Sequence, residues 1–263
     1  MKIGLIGFGR AGRAVATLLL ERDDVCLEWV VRRTSRYDHG RAAQLVGVES
    51  ASPGLILGTD RWTADQLLDR YPVDAIIDFS SHTGIDFYGP AAARRGVAIV
   101  CAVSAFDERA LRKLDRWATA TRVLWSPNIT IGINFMLLAA KTLQAIAPWA
   151  DIEIMEEHFK AKPEVSGTAL RLATGLGQDP ADIKTVRAGG IIGTHEVLFG
   201  FPYQTVRLRH ESLAREAFGD GALFAAQHII DLPNGLYRME DILLPYFTQD
   251  PQSEARPLSA VAG

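Results

Sequence analysis

Residues 2–13 read K-I-G-L-I-G-F-G-R-A-G-R, a short apolar run that leads directly into G-x-G-x-x-G at Gly7, Gly9 and Gly12. The pattern has a mechanical reading. The first glycine permits a tight turn at a strand end, the second lets backbone approach a pyrophosphate, and the third lets the next helix pack closely on the strand. A helix opening at this point also aims its unpaired N–H groups at the same place, which suits an anion. Gly7, Phe8, Gly9, Arg10, Ala11 and Gly12 are therefore expected to bind the phosphates of a dinucleotide. Their position between a strand and a helix makes the motif far more specific than its glycines alone.

Working outward, apolar strands are expected at 2–6, 25–31, 75–79, 98–101 and 123–125, alternating with helices at 11–21, 64–70, 85–95 and 108–118. Strands rich in Val, Ile and Leu that alternate with helices predict a parallel sheet covered on both faces. The fold class is thus α/β, with a Rossmann-type doubly wound domain over 1–126. After Ser126-Pro127-Asn128 the rhythm changes: a long helix at 132–147, a strand at 151–155, a helix from 168, and strand-like runs at 183–187, 195–199 and 205–209. Consecutive strands after a parallel half predict a second α+β domain over 127–233 with a mixed or antiparallel sheet, closed by a helix at 213–231. The chain then returns over 234–248 to complete the first domain, and the Pro-, Ser- and Ala-rich tail 249–263 is expected to be disordered.

Composition excludes several classes. A formal net charge of −3 gives no electrostatic footprint for nucleic acid or an anionic membrane. No apolar run is long enough for a bilayer and no signal peptide is visible, so the expected setting is cytoplasmic. The two cysteines, Cys26 and Cys101, sit in strand-like runs without metal-ligand or C-x-x-C spacing; buried free thiols are expected, with no metal.

The end of the second strand selects the nucleotide. An NAD site places an acidic residue there for the ribose hydroxyls, whereas this chain runs into Arg32-Arg33-Thr34-Ser35-Arg36. Guanidinium forks and hydroxyls suit a 2′-phosphate, so NADPH is the expected cofactor, with NADH a weaker alternative. Two further strands end in small polar residues at the sheet edge where ligands sit: Phe79 and Ser80 after Asp78, and Ala102, Val103 and Ser104 after Cys101. Both loops are expected beside the nicotinamide, and Asp78 either joins them or caps its own loop.

The second half carries a different signal. Residues 153–169 read E-I-M-E-E-H-F-K-A-K-P-E-V-S-G-T-A, with His158 and Lys162 four residues apart and Ser166, Gly167 and Thr168 opening a helix. A proton donor, a fixed cation and a turn rich in N–H groups are what a small anionic molecule needs while it is reduced. His195 and His210, on alternating strand segments, are expected to be structural.

Taken together, these blocks resemble the dihydrodipicolinate reductase family. The resemblance runs from residue 2 to about 244 and is carried by G-F-G-R-A-G-R at 7–13, I-D-F-S at 77–80, S-P-N-I-T-I-G-I-N at 126–134, E-H-F-K-A-K at 157–162, S-G-T-A at 166–169, R-A-G-G-I-I-G-T-H at 187–195, F-G-D-G-A at 218–222 and G-L-Y-R-M-E-D-I-L at 235–243. It implies NADPH-dependent reduction of 4-hydroxy-tetrahydrodipicolinate in the diaminopimelate route to lysine. His158 would be the proton donor and Lys162 the partner of the developing charge and a carboxylate. Residues 166–168 would form the carboxylate turn, with Asn128 and Asn134 beside the nicotinamide. It also implies a homotetramer built through the second domains, and closure over both ligands with hinges near 126–128 and 234–235.

Three positions depart from the family pattern. Phe159 stands where a second histidine is usual, Pro163-Glu164-Val165 shortens the approach to the S-G-T turn, and Ala102-Val103-Ser104-Ala105 replaces a hydroxyl-rich loop. Ser104 and Phe159 thus become candidate substrate-facing residues. Losing one charge-assisted bond to a carboxylate costs about 1.5–3 kcal/mol, enough to redirect preference. Two alternatives follow: a related reductase of another cyclic imine or conjugated acid, and a non-catalytic NADPH-binding protein.

Overall fold

The computed structural model describes residues 1–34, 40–104 and 106–248. The expected tail 249–263, together with Ser35, Arg36 and Ala105, lies outside the described residues.

Five strands of the first half form where their apolar runs predict them: β1 (Lys2–Ile6), β2 (Cys26–Arg32), β4 (Ala75–Asp78), β5 (Ala98–Cys101) and β6 (Arg122–Trp125). They join β3 (Leu55–Gly58) and β11 (Gly235–Tyr237) in a seven-stranded sheet ordered β11-β6-β5-β4-β1-β2-β3, every neighbouring pair parallel. Strand order reverses between β1 and β4, which opens a crevice at their carboxyl ends.

Alternation along the strands sorts the core into two faces, with a bulge at Glu28 of β2 that puts Leu27 and Trp29 on opposite sides. Ile3, Leu5, Leu27, Ile77 and Val100 pack under α1 (Arg10–Leu20), α8 (Glu216–Ile229) and α9 (Met239–Thr248). On the other face, Trp29, Val31, Ile76, Ile99 and Val123 pack under α3 (Ala64–Arg70), α4 (Ile85–Arg95) and α5 (Glu108–Ala118). The short helix α2 (Ala42–Val46) contributes Ala42 and Ala43 to the first face.

The second unit is a four-stranded mixed sheet ordered β10-β9-β7-β8. Here β7 (Asp151–His158) lies antiparallel to β9 (Thr194–Gly200) and parallel to β8 (Lys184–Arg187), and β10 (Thr205–Glu211) edges β9. One face is covered by α6 (Ile131–Ile146) and α7 (Gly167–Gly175), whose Met136, Leu137, Leu172 and Ala173 meet Ile154, Val197 and Phe199. Strand β7 runs three residues beyond its expected end because β8 and β9 continue the ladder past Met155; pairing outweighs the weak strand preference of Glu-Glu-His.

One assignment is corrected. The helix expected at 213–231 belongs by packing to the first sheet: Ala222, Leu223, Ala225, Ala226 and Ile229 of α8 join the core with Val15 and Leu19 of α1. Its apolar stripe reads the same whichever sheet it covers, so periodicity could not place it.

Gly12 shows how tightly the nucleotide turn is built. A Cβ there would lie 2.2 Å from the Gly7 carbonyl oxygen, which is backbone and cannot step aside, and Gly7 itself holds φ at +98°. Gly12→Ala should therefore cost about 1–3 kcal/mol of stability and weaken nucleotide binding in parallel. Chemical denaturation and nucleotide titration would check this; unchanged stability would show that helix α1 can shift away from β1.

Candidate active site

Two cavities meet around the crevice. The first, about 790 Å³, is lined by Gly7, Phe8 and Gly9 from the turn after β1, Arg32 at the end of β2 with Arg33 and Thr34 after it, and Phe79 and Ser80 after β4. Gly9 caps α1 without any side-chain hydrogen bond, and the first turn carries no acidic residue. A Cβ on Gly9 would project into open space. Free N–H groups, a positive helix end and an unfilled cradle fit a pyrophosphate, and the arginines fit a further phosphate at the strand end.

Other expected nucleotide residues sit nearby with different surroundings. Ala11, Ala102, Ser104 and Asn128 line the second cavity. Arg10 faces a separate open groove with Arg13, and Val103 is buried, its carbonyl accepting from Trp125 Nε1 at 2.9 Å. Asp78 has the capping role: fully buried, it accepts from Ser80 N at 2.7 Å and from the Tyr88 hydroxyl at 2.8 Å. Burial pushes its carboxyl upward despite those bonds.

The second cavity, about 270 Å³, lies between the two units. Phe79, Ala102, Ser104 and Asn128 form its nucleotide side; His158, Thr168, Gly193, His195, His210 and Ser212 form the other. Period-2 alternation explains one wall: Ile154, Glu156 and His158 share the buried face of β7. Across the ladder, His195 stands opposite Glu156 and His210 opposite His195. The structural role expected for His195 and His210 is thus incomplete, because both line the cavity.

Glu156, fully buried, organises this wall. Its carboxylate accepts from Arg187 Nη2 at 2.6 Å and from Ser166 N at 3.0 Å. It also lies 3.3 Å from His158 Nδ1 and 4.0 Å from His195 Nε2. Ser166 Oγ shares a 2.9 Å hydrogen bond with His195 Nε2 and accepts from Ala169 N at 3.1 Å, capping α7. With Ser166 committed to these partners, the Gly167 and Thr168 N–H groups are the ones the helix start leaves for an anion. Thr168 Oγ1 donates to Asn128 Oδ1 at 2.8 Å, tying the helix start to the linker between the units. Asn134 secures that linker, its Nδ2 donating to the Asn128 and Thr130 carbonyls at 2.6 and 2.8 Å.

The electrostatics follow from burial and pairing. Burial alone would raise the Glu156 carboxyl, but the Ser166 and Arg187 hydrogen bonds hold it below its ordinary value. Burial lowers His158; Glu156 opposes that effect, while Lys162 and Arg187 add to it. His195 is lowered to about 4, chiefly by burial and then by His158, so it stays neutral near pH 7. Glu156, His158 and His195 are close enough together to suggest a cation site. The guanidinium of Arg187 already supplies the positive charge there, so the donor set reads as a hydrogen-bonded ion pair.

Lys162 is half-buried outside the cavity walls, its carbonyl accepting from Arg187 Nε at 3.1 Å. Phe159 is 43% exposed and does not line the cavity. It follows His158 at the strand end, where alternation sends neighbouring side chains to opposite sides. Glu156, Arg187, Gly193 and Ser212 were not singled out from the sequence. The alternation of Glu156 with His158 was the one local signal for the first of them.

The chain is similar to known proteins along both halves. Residues 1–129 match the family model "Dihydrodipicolinate reductase, N-terminus" and residues 129–243 match "Dihydrodipicolinate reductase, C-terminus". The 4-hydroxy-tetrahydrodipicolinate reductase of Halorhodospira halophila is 32% identical over 268 residues, spanning 92% of this chain and 98% of its own length. That of Nitratidesulfovibrio vulgaris is 30% identical over 260 residues, spanning 89% and 95%. A dipicolinate-bound dihydrodipicolinate reductase from Paenisporosarcina sp. TG-14 shares the fold with a TM-score of 0.75 at 21% identity, over 92% of this chain and 99% of that one. A dinucleotide crevice joined to a histidine-lined cavity, matched along both halves of the chain, makes this protein a member of the dihydrodipicolinate reductase family and an oxidoreductase of that type.

Proposed function

We propose that the chain reduces 4-hydroxy-tetrahydrodipicolinate to tetrahydrodipicolinate with NADPH, in the diaminopimelate route to lysine. The observation that carries this reading is the shared cavity, in which Phe79, Ala102, Ser104 and Asn128 face His158 and Thr168 across one space. Bound at the crevice, the reduced nicotinamide supplies a hydride. The chain supplies the rest. The Gly167 and Thr168 N–H groups at the start of α7, with Lys162, hold a ring carboxylate. His158 presents Nε2 on the Gly193 side, where a Cβ at 193 would come within 3.0 Å of it. After the ring has lost its hydroxyl and taken the hydride, the His158 proton passes to the adjacent carbon, leaving neutral imidazole. The small cavity between the units excludes water as they close, with 126–128 and 234–235 as hinges. The face of the mixed sheet that no described helix covers, carrying Met155, Val186 and Leu198 among ion pairs such as Lys184–Glu153 and Arg209–Glu157, supports assembly as a homotetramer.

The test is oxidation of NADPH by the purified chain while dihydrodipicolinate synthase generates the substrate in place. Turnover that depends on the synthase is expected. Nucleotide binding without turnover would favour the second reading, a reductase of another cyclic imine, for which the Ala102 and Ser104 wall is the structural motive.

Cofactor choice is tested separately. Arg32→Ala and Arg33→Ala should weaken NADPH by about tenfold to a hundredfold and leave NADH nearly unchanged; equal losses would remove the 2′-phosphate reading. His158→Gln should lower turnover by about two to four orders of magnitude with nucleotide affinity preserved. Because the donor works only when protonated, kcat/KM should fall as pH rises through the His158 value. That descending limb should lie below the ordinary histidine value of about 6.5, since burial lowers this ring. A limb above it would contradict the assignment.

A further inference from the structure

The proposed proton donor does not stand alone. It shares the buried face of β7 with Glu156, a residue that lines neither cavity yet bonds Ser166 and Arg187 and lies close to His158 and His195. One carboxylate oxygen takes the Arg187 guanidinium at 2.6 Å; the other takes Ser166 N at 3.0 Å and lies 3.3 Å from His158 Nδ1. Among the described residues His158 Nδ1 has no other partner, and its approach to Glu156 is off hydrogen-bond alignment. The contact between the two is one of charge at 3.3 Å. Arg187, opposite His158 on β8, also ties the loop after β7 through its bonds to the Lys162 and Glu164 carbonyls at 3.1 and 2.9 Å.

We propose that Glu156 is the positioning residue of the site, holding the His158 ring by Nδ1 and the S-G-T turn by Ser166 N, with Arg187 as its counter-charge. The inference rests on His158 being the proton donor. A carboxylate behind Nδ1 keeps the ring's proton-bearing Nε2 aimed into the cavity, as an orienting acid does for other catalytic histidines. The same carboxylate fixes the start of α7, so the proton donor and the carboxylate-binding N–H groups move as one body. Arg187 has two consequences. It makes a fully buried carboxylate tolerable, and it offsets part of the negative potential that Glu156 exerts on His158. The other charged or titratable groups facing the ring are Lys162 from the following loop and His195 from β9, with His210 of β10 behind His195. None of these supplies a negative charge, so Glu156 is the group among them that favours the protonated ring.

The experiment compares Glu156→Gln, Glu156→Asp and Arg187→Gln in the full chain, reading kcat/KM against pH and the His158 ring signals by NMR titration. Glu156→Gln should move the descending limb and the His158 titration down by about one pH unit or more. Arg187→Gln should move both up, and Glu156→Asp should restore most of the lost turnover. The KM for NADPH should stay unchanged, because Glu156 lies off the nucleotide cavity. Loss of turnover with an unmoved limb, or shifts of the same sign in both variants, would overturn the proposal. If Glu156→Gln does not fold, Arg187→Gln decides it, since an unshifted or lowered His158 titration in that variant is equally contrary. A chain that keeps full turnover as His158→Gln would instead sink the proton-donor reading, while the NMR titration still reports whether Glu156 and Arg187 set the ring's charge.

Discussion

The second half of the molecule is arranged around one buried carboxylate. Removing an ionised group from water costs several kcal/mol even after relaxation, so Glu156 can remain charged only if donors converge on it. They come from two separate stretches of chain, Arg187 from β8 and Ser166 from the turn before α7, while the His158 ring of β7 itself lies 3.3 Å away. Satisfying one charge thus brings a strand end, a helix start and a neighbouring strand to a common point. That point is one wall of the cavity.

The opposite wall is fixed by the first sheet. Reversal of strand order between β1 and β4 creates the crevice, and the close approach of Gly12 to the Gly7 carbonyl keeps helix α1 aimed at it. The two walls are joined by short-range contacts at the linker. Thr168 reaches Asn128, Ser126 Oγ donates to the Asn128 carbonyl at 2.7 Å, and Gly221 of α8 packs so closely on Ile129 that a Cβ would come within 2.0 Å of its carbonyl oxygen. On the far side, Arg171 of α7 pairs with Glu240 of α9, a second bridge between the units. Helix α6 adds a third, with Ile131 and Leu138 packed against the first core and Phe135 against Phe247 of α9.

Much of this was legible in the sequence, for physical reasons. A strand buried on both faces writes a continuous apolar run, which is why β1, β4 and β5 could be placed from their residues, and G-x-G-x-x-G constrains backbone directly. What could not be read was of two kinds. Short elements at sheet edges, β3 and β11, carry too few residues to show a period, and the stripe of α8 does not encode which sheet it covers. The second kind is contact between distant segments. His195 meets Ser166 across 29 positions and Arg187 meets Glu156 across 31, and neither pairing leaves a local trace. His158, Lys162 and the S-G-T turn could be singled out because they fall within one short stretch. The cavity position of His195 and His210, and the exposure of Phe159, depended on the ladder register.

The central claim is that the two walls enclose one reaction space, with a ring carboxylate on the start of α7 and His158 across the ring. The most direct measurement is a crystal structure of the full chain with the oxidised nucleotide and a cyclic dicarboxylate bound together. The account predicts the nucleotide in the glycine-turn crevice, one carboxylate on the Gly167 and Thr168 N–H groups, and His158 Nε2 facing the ring. A dicarboxylate seated away from α7, or a His158 ring turned from it with Glu156 still paired to Arg187, would contradict it.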